Sequence, residues 1–185
     1  KGGDVVIIHA LQALRESGVL EQMNVTVVMT GDEERSGSPL ALARAALIEA
    51  ATQADYVIAF ENGDSNPATA VVARRGSTGW RLDVTATPAH SSQIFQPAVG
   101  AGAIYEASRI LTGFYDRLAG QPLLTFNPGV ILGGTDVEYV TADAGGAALG
   151  KSNVVAESAV VTGDLRSISL EQLEEARRVM REVVA

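Results

Sequence analysis

The sequence predicts two different α/β architectures in succession along one chain. In the first part, short apolar runs alternate with helical patterns, which favours a mainly parallel sheet covered by helices. From about residue 76, apolar and polar residues alternate along the strands, which favours an antiparallel α+β layer. The pattern changes within residues 73–78. We therefore expect one domain at 1–75 and a second at 76–185.

The composition narrows the classes of function. With 185 residues, 46% of them hydrophobic, the chain is large enough for one folded domain or two small ones. A net charge of −8 argues against a nucleic-acid partner, because such a protein needs a basic face to meet phosphates. No apolar run approaches the roughly 20 residues that span a bilayer, so we expect no membrane partner. Cysteine is absent, which leaves Asp, Glu and His as metal ligands.

The first part begins with a helical pattern. Apolar side chains recur at helical spacing over residues 4–17, and Gly18 is a suitable stop. The expected apolar stripe consists of Val5, Ile8, Leu11 and Leu14. The runs Val25–Met29 and Tyr56–Phe60 are typical of buried strands. Between them, residues 39–52 form a second predicted helix that a proline opens.

The second part begins with an amphipathic strand, in which four apolar residues alternate with polar neighbours: Trp80, Leu82, Val84 and Ala86. A helix is expected over Pro97–Leu118. Its predicted stripe consists of Ile104, Ala107, Leu111, Phe114 and Leu118. Leu123–Tyr139 is typical of strand, interrupted at Gly133 and Gly134.

The remaining pattern completes an α+β unit. Thr141–Gly150 is rich in Gly and Ala and is expected to be a loop, whereas Val154–Leu165 is a further strand. Ser169 and Gln172 form a capping box for a last helix. The predicted stripe of that helix consists of Leu170, Leu173, Met180 and Val184. This order of elements resembles a split βαβ unit that lacks its last strand.

Acidic residues follow both predicted buried strands. Asp32 opens an acidic triplet directly after the first strand, and Glu61 follows the second. Because ligands bind outside the carboxyl ends of strands in open α/β sheets, we expect Glu34 and Glu61 at one rim as half of a metal site. The neighbouring Glu33 is placed to take a proton from metal-bound water. The alternative is a solvated acidic turn with Asp32 as a helix cap, and an ordinary turn at Asn62–Asp64.

Other groups typical of active sites lie in the second part. His90 ends the amphipathic strand, where it can be a ligand, a general acid or a donor to a developing oxyanion. The alternative is a loop histidine held by its serine neighbours. His9, inside the first helix, is interpreted as a packing residue. Asn153 and Arg166 flank the strand that starts at Val154, and arginine forms bidentate bonds with carboxylates. The alternative is that Asn153 belongs to a structural turn and that Arg166 is an ordinary surface arginine.

Several motifs occur in one order along the chain. They are Lys1-Gly2-Gly3, Thr30-Gly31-Asp32-Glu33-Glu34, Ala54-Asp55-Tyr56 through Phe60-Glu61, Ala89-His90-Ser91, Ser152-Asn153-Val154-Val155 and Gly163-Asp164-Leu165-Arg166. This series is similar to the dinuclear zinc metallopeptidase family of glutamate carboxypeptidase, aminoacylase, acetylornithine deacetylase and succinyl-diaminopimelate desuccinylase. The resemblance implies a partial zinc-peptidase catalytic domain, followed by a ferredoxin-like dimerisation, or lid, domain.

The resemblance also implies a chemistry, which is hydrolysis of amide bonds with two zinc ions per complete subunit. Glu33 matches the general base that activates the attacking water. Glu34 matches a ligand of one zinc ion, and Glu61 matches a ligand of the other.

The matches in the second part of the chain imply a homodimer whose small substrate carries a free carboxylate. His90 matches a lid histidine that reaches the partner subunit's active site and steadies the oxyanion. Asn153 and Arg166 match groups that hold the free carboxylate of a peptide or an N-acyl amino acid. The sequence leaves the exact substrate and the cellular compartment open.

Parts of the family pattern lie outside this sequence. The bridging aspartate of the family precedes the position of Lys1, and further ligands lie upstream and beyond the lid. Only two expected metal ligands remain, Glu34 and Glu61, so we expect an internal fragment that binds zinc poorly and hydrolyses nothing by itself. Gly102 stands where many relatives have Asn. The competing interpretations are a catalytically inactive member that serves as a binding or dimerisation module, and an α/β protein whose acidic turns are only surface.

Overall fold

The computed structural model describes residues 2–61, 66 and 68–185. The chain divides into two compact units, Lys1–Val71 and Val72–Ala185. The domain limits 1–75 and 76–185 stay a prediction. The turn expected at Asn62–Asp64 lies outside the described residues. Within the described ranges, none of the helices is long and apolar enough to cross a membrane.

Among the described residues of the first unit, the regular elements are helices. Helix α1 spans Gly2–Glu16, which confirms the first predicted helix, and a left-handed residue follows it at Gly18 with φ of 75°. Its less exposed residues are Gly3, Ile7, Leu11 and Leu14, so the predicted stripe was wrong at Val5 and Ile8. His9 lies on the exposed side of α1, which contradicts its interpretation as a packing residue.

The second predicted helix is present but broken. It consists of α2 at Leu40–Ala43 and α3 at Ala45–Thr52, with Pro39 as the N-cap of α2. Arg44 separates the two helices, because its φ of −103° and ψ of 3° depart from helical geometry. Its side chain contacts the preceding loop, as described below.

The two strands predicted for the first unit do not form. Val25–Met29 and Tyr56–Phe60 carry no strand pairing, and Met29 and Ile58 are 63% and 77% exposed. A buried strand is stabilised by neighbouring strands and by helices on both faces. The first unit contains no paired strand in the part of the chain that the structure describes, so these apolar runs have no sheet to join.

The second unit contains all the strands of the described structure. They are β1 (Gly76–Thr85), β2 (Thr125–Gly134), β3 (Asp136–Val140), β4 (Gly145–Leu149) and β5 (Ser158–Ser167). Strands β1, β5 and β2 form an antiparallel sheet in that order, with β5 in the centre. Strands β3 and β4 form a separate antiparallel pair, so the predicted loop at Thr141–Gly150 was wrong over β4.

Two helices, α4 (Ala103–Leu118) and α5 (Leu170–Val184), pack on one face of this sheet. The core between them holds fifteen buried side chains: Leu82, Val84, Ala103, Ala107, Ile110, Phe114, Leu118, Leu124, Ala159, Val161, Leu165, Ala176, Val179, Met180 and Val183. Trp80 packs edge-on against Phe114, with ring centroids 5.8 Å apart, and its indole N–H donates to the Asp164 carbonyl at 3.1 Å. The period-two pattern therefore predicted the buried face of β1.

The strand order confirms the split βαβ topology. Strand β5 lies between β1 and β2, although it follows both in the sequence, and a helix follows both β1 and β5. In a split βαβ unit, a later strand is inserted between the first two strands in the same way. The β3–β4 pair is an addition to that unit.

Both helices of the second unit differ from prediction in detail. Helix α4 starts at Ala103 rather than at Pro97, because Gly100 and Gly102 have φ of 74° and 82° and interrupt a helical path. Ile104, from its predicted stripe, is 46% exposed. In α5, the predicted stripe residues Leu170 and Val184 are 75% and 45% exposed. The buried positions of α5 are Ala176, Val179, Met180 and Val183.

The capping box of α5 forms in a modified way. The amide N–H of Gln172 donates to the Ser169 hydroxyl at 3.2 Å. The Gln172 side chain accepts from the amide of Ile168 at 3.0 Å, one residue before the N-cap. It also donates to the Pro122 carbonyl at 2.9 Å, which ties the start of α5 to the segment before β2.

We expect Leu165→Ala to lower the free energy of unfolding by about 2–5 kcal/mol, because Leu165 on the central strand is 2% exposed and its removal leaves a cavity. The same substitution at Leu170 should change it by less than roughly 0.5 kcal/mol. Urea unfolding followed by circular dichroism measures both. An equal loss of unfolding free energy in the two variants would contradict the conclusion that Leu165 is buried and Leu170 is exposed.

Candidate active site

The acidic loop at residues 31–38 is organised by Asp32. The guanidinium of Arg44 donates to the Asp32 carboxylate at 2.7 Å and to the Ser36 hydroxyl at 2.8 Å. The amide of Gly37 donates to the other carboxylate oxygen of Asp32 at 2.9 Å. These contacts join both ends of the loop to the residue between α2 and α3. We call them the Asp32–Arg44 clamp.

The clamp has an electrostatic consequence. The amide of Gly37, followed by the positive charge of Arg44, holds the pKa of Asp32 below its ordinary value of 3.8. Asp32 is therefore charged and engaged within the loop. It caps no helix, because the N-cap of α2 is Pro39 and no side chain bonds to that helix start. The next two carboxylates, Glu33 and Glu34, are exposed.

Glu61 is exposed at the end of a segment that passes α1. The Phe60 carbonyl lies 3.0 Å from where a Cβ on Gly3 would stand, so a side chain at this position would push the segment away slightly. Among the residues that the structure describes, no group of three or more His, Asp or Glu lies close enough to hold a metal ion. Zinc sites in proteins use three or four protein ligands, so these residues do not by themselves fit a zinc ion.

His90 follows β1 in the sequence and lies at the end of the sheet where β1 finishes. It forms a bridge with Val154, and the amide of Ser91 donates to the Asn153 carbonyl at 2.9 Å. His90 is the N-cap of a 3₁₀ turn at Ser91–Gln93, and its exposed ring contacts Ser92. Asn153 and His90 are therefore neighbours.

Arg166 lies at the opposite end of β5. It pairs across the sheet with Ser77 and Thr125, and its Nε donates to the Asp164 carboxylate at 2.9 Å. Strands rise about 3.3 Å per residue, which places Arg166 roughly 26 Å along β5 from Ser158. Val154 lies still further back. Asn153 and Arg166 therefore do not form one carboxylate clamp within a single chain.

Sequence reasoning missed the role of Arg44. Its contact with Asp32 spans twelve residues and leaves no local signature. The contact between Ser92 and His90 could have been predicted from the sequence, because a serine two residues after a histidine is well placed to bond back to it. The alternative of a loop histidine held by its serine neighbours is what the structure shows at Ser92, and it is compatible with a chemical role for His90.

Known proteins resemble the chain over most of its length. Carboxypeptidase G2 from Pseudomonas sp. (strain RS-16) is 27% identical over 182 residues, which is 98% of this chain and 39% of that protein. The chain thus spans about two fifths of the length of this relative.

Solved structures match a smaller part of the chain. An aminobenzoyl-glutamate utilization protein from Klebsiella pneumoniae is 21% identical with a TM-score of 0.43, over 60% of this chain and 24% of that one. A putative amidohydrolase/peptidase from Burkholderia cenocepacia is 19% identical with a TM-score of 0.46, over 62% and 25%.

The family itself is established by the second unit. The profile of the peptidase dimerisation domain of the M20 family matches residues 72–185, which is more than half of the chain and includes the whole sheet with α4 and α5. This chain belongs to the M20 peptidase dimerisation-domain family.

Proposed function

We propose that the complete protein carrying this chain is a zinc-dependent hydrolase that cleaves amide bonds of peptides or N-acyl amino acids with a free carboxylate. The observation that carries the proposal is the membership of residues 72–185 in a peptidase family, together with the exposed Glu33 and Glu34 on a clamped loop. A carboxypeptidase that is 27% identical over 98% of the chain supports the same class of reaction.

In this proposal Glu33 is the general base. An exposed carboxylate accepts a proton from the water that attacks the amide carbonyl, and it returns that proton to the nitrogen of the leaving amine. The products are an amine and a carboxylic acid. The Asp32–Arg44 clamp restrains the backbone directly before Glu33, so that the base has a defined position while its carboxylate stays open to substrate.

Zinc dependence belongs to the proposal for the complete protein. Glu34 and Glu61 are the proposed ligands from this chain, and the remaining ligands of two zinc ions are proposed to come from other residues of the complete protein. Two carboxylates hold zinc weakly by themselves.

The proposed substrate contacts require a homodimer. A dipeptide is about 7 Å long, far shorter than the roughly 26 Å that β5 covers between Ser158 and Arg166. One substrate cannot contact His90 and Arg166 of the same chain. We therefore propose that Arg166 serves the site of its own subunit, and that His90 and Asn153 serve the site of the partner.

One observation favours a second candidate function. The family model matches residues 72–185, a dimerisation domain, and this domain would serve equally in a family member that is catalytically inactive and acts as a binding or dimerisation module. Hydrolytic activity of the complete protein decides between the two candidates.

We expect the complete protein to cleave members of a panel of dipeptides, acyl-glutamates and N-acetyl amino acids, and a chelator to abolish the cleavage. Glu33→Gln should lower kcat by roughly 10²–10⁴-fold, because the amide cannot take the proton. Glu21→Gln, at an exposed position in a 3₁₀ turn, is the matched control and should leave kcat unchanged. Zinc binding without cleavage of any panel member would favour the binding module.

A second experiment compares zinc binding by the 185-residue chain and by the complete protein, because the two are proposed to offer different numbers of zinc ligands. Isothermal titration with zinc should show weak binding to the chain and tight binding to the complete protein. Tight stoichiometric zinc on the chain alone would contradict the assignment of only Glu34 and Glu61 as its ligands.

The Asp32–Arg44 clamp predicts a pH dependence of the acidic loop. Because folding lowers the pKa of Asp32, its charge stabilises the loop fully above pH 3.8, and this contribution is lost as pH falls through the lower folded-state value. In Arg44→Met the NMR titration midpoint of the Gly37 amide should move up towards 3.8 without reaching it, because the larger contribution from Gly37 remains. Arg35→Met, in the same loop, is the control, and an equal midpoint in wild type and Arg44→Met would contradict the clamp.

Mixed dimers test the division of labour between subunits. A dimer of one His90→Gln subunit and one Arg166→Ala subunit retains one complete site, since the first supplies Arg166 and the second supplies His90. Mixing two nearly inactive variants at equal amounts should restore about a quarter of wild-type kcat, given random pairing of two-fold dimers. Both residues serving the same site from one subunit would leave the mixture inactive. The Asn153→Ala and His90→Gln pair is the control that should not complement.

A further inference from the structure

We propose that Ser92 is a positioning residue for His90, which fixes the neutral imidazole with its proton on Nε2 and directs that N–H outward as a hydrogen-bond donor. The functional part of this inference rests on the proposed role of His90 as a donor to the oxyanion in the partner's site. The tautomer itself follows from contacts within this chain.

Two donors from Ser92 meet one nitrogen of the ring. The backbone N–H of Ser92 donates to Nδ1 of His90 at 3.2 Å, and the hydroxyl oxygen of Ser92 lies 2.9 Å from the same atom. A backbone N–H can only donate, so Nδ1 offers its lone pair and carries no proton while this bond is made. The Ser92 hydroxyl then donates to Nδ1 as well.

The proton of the neutral ring is thereby placed on Nε2. A neutral imidazole has one donor and one acceptor nitrogen, and the bond made by one nitrogen decides the state of the other. Nδ1 is the ring nitrogen near the backbone, and Nε2 lies on the far side. With Nδ1 held against the turn, the Nε2–H points away from it.

The turn that carries Ser92 is itself fixed to the sheet. The amide of Gln93 donates to the His90 carbonyl at 2.8 Å, and the amide of Val155 donates to the Ala89 carbonyl at 2.8 Å. The amide of Ser91 donates to the Asn153 carbonyl at 2.9 Å on the same side of His90. Because the backbone on both sides of His90 is bonded, anchoring Nδ1 leaves little freedom to the ring.

This arrangement matches the requirement of an oxyanion donor. A donor stabilises a transition state when it is aimed before the charge develops, because no reorganisation is then needed. An exposed histidine with both tautomers and free rotation would lose part of that advantage. Ser92 removes both kinds of freedom without contacting the substrate.

The first test needs no catalysis and uses nitrogen-15 NMR of the 185-residue chain. The chain has two histidines, so the ring signals of His90 are assigned by their loss in His90→Gln. We expect the pattern of the Nε2–H tautomer and a coupling across the bond from the Ser92 amide to Nδ1. Ser92→Ala removes the hydroxyl donor at 2.9 Å and leaves only the longer amide bond at 3.2 Å, so it should add a measurable fraction of the other tautomer, whereas Ser92→Thr and the neighbouring Ser91→Ala should not. An Nδ1–H tautomer in wild type, or an unchanged ratio in Ser92→Ala, would overturn the inference.

The second test measures kinetics of the complete protein. Ser92→Ala should lower kcat by on the order of tenfold with KM unchanged, the factor expected for one hydrogen bond that acts only in the transition state. Ser92→Thr should restore kcat, and Ser91→Ala should leave it as in wild type. If His90→Gln does not lower kcat, the proposed function of His90 fails while the NMR result still decides the tautomer. If His90→Gln lowers kcat and Ser92→Ala does not, the positioning role is wrong.

Discussion

The pairing of β5 along both of its edges is the constraint on which the second unit depends. As the central strand, β5 is held by β1 and β2 and buries Val161 and Leu165 beneath the two helices. Sliding it by one residue would turn these side chains to the opposite face and break both ladders at once. The same register sets Arg166 at one end of the strand. At the other end, the chain that leads into β5 pairs with the segment carrying His90. A rigid strand therefore determines the separation between the two candidate groups.

The candidate chemical groups share a mode of support. Glu33 and His90 are both exposed, and in each case a residue one or two positions away does the anchoring. Asp32 is bonded to Arg44 and Gly37, while Ser92 is bonded to the His90 ring. Exposed polar groups keep their hydration until a ligand displaces it, so such groups gain precision from restrained neighbours rather than from burial. The candidate groups are thus positioned by hydrogen bonds of neighbouring residues and not by burial in a pocket.

The sequence predicted those features that depend on local pattern. Alternation at Leu82 and Val84 identified the buried face of β1, and Ser169 identified the start of α5. It failed where a partner distant in sequence decides the outcome. Tyr56–Phe60 has the composition of a strand but no strand beside it in the described structure, and Arg44 reaches Asp32 across twelve residues. The predicted stripe of α5 was correct at Leu173 and Met180 and wrong at its two ends, where Leu170 and Val184 are exposed. The site residues Glu33, Glu34, Glu61, His90, Asn153 and Arg166 stay predictions.

Trp80 gives the chain a built-in optical reporter. It is the single tryptophan of the sequence, and it lies in the second unit with its ring against Phe114 and its indole N–H bonded to the Asp164 carbonyl. Loss of the sheet exposes this ring to water and frees its N–H, both of which alter the emission of an indole. The tryptophan fluorescence of the intact chain therefore follows the second unit alone. The first unit, whose aromatic residues are Tyr56 and Phe60, contributes no indole signal of its own.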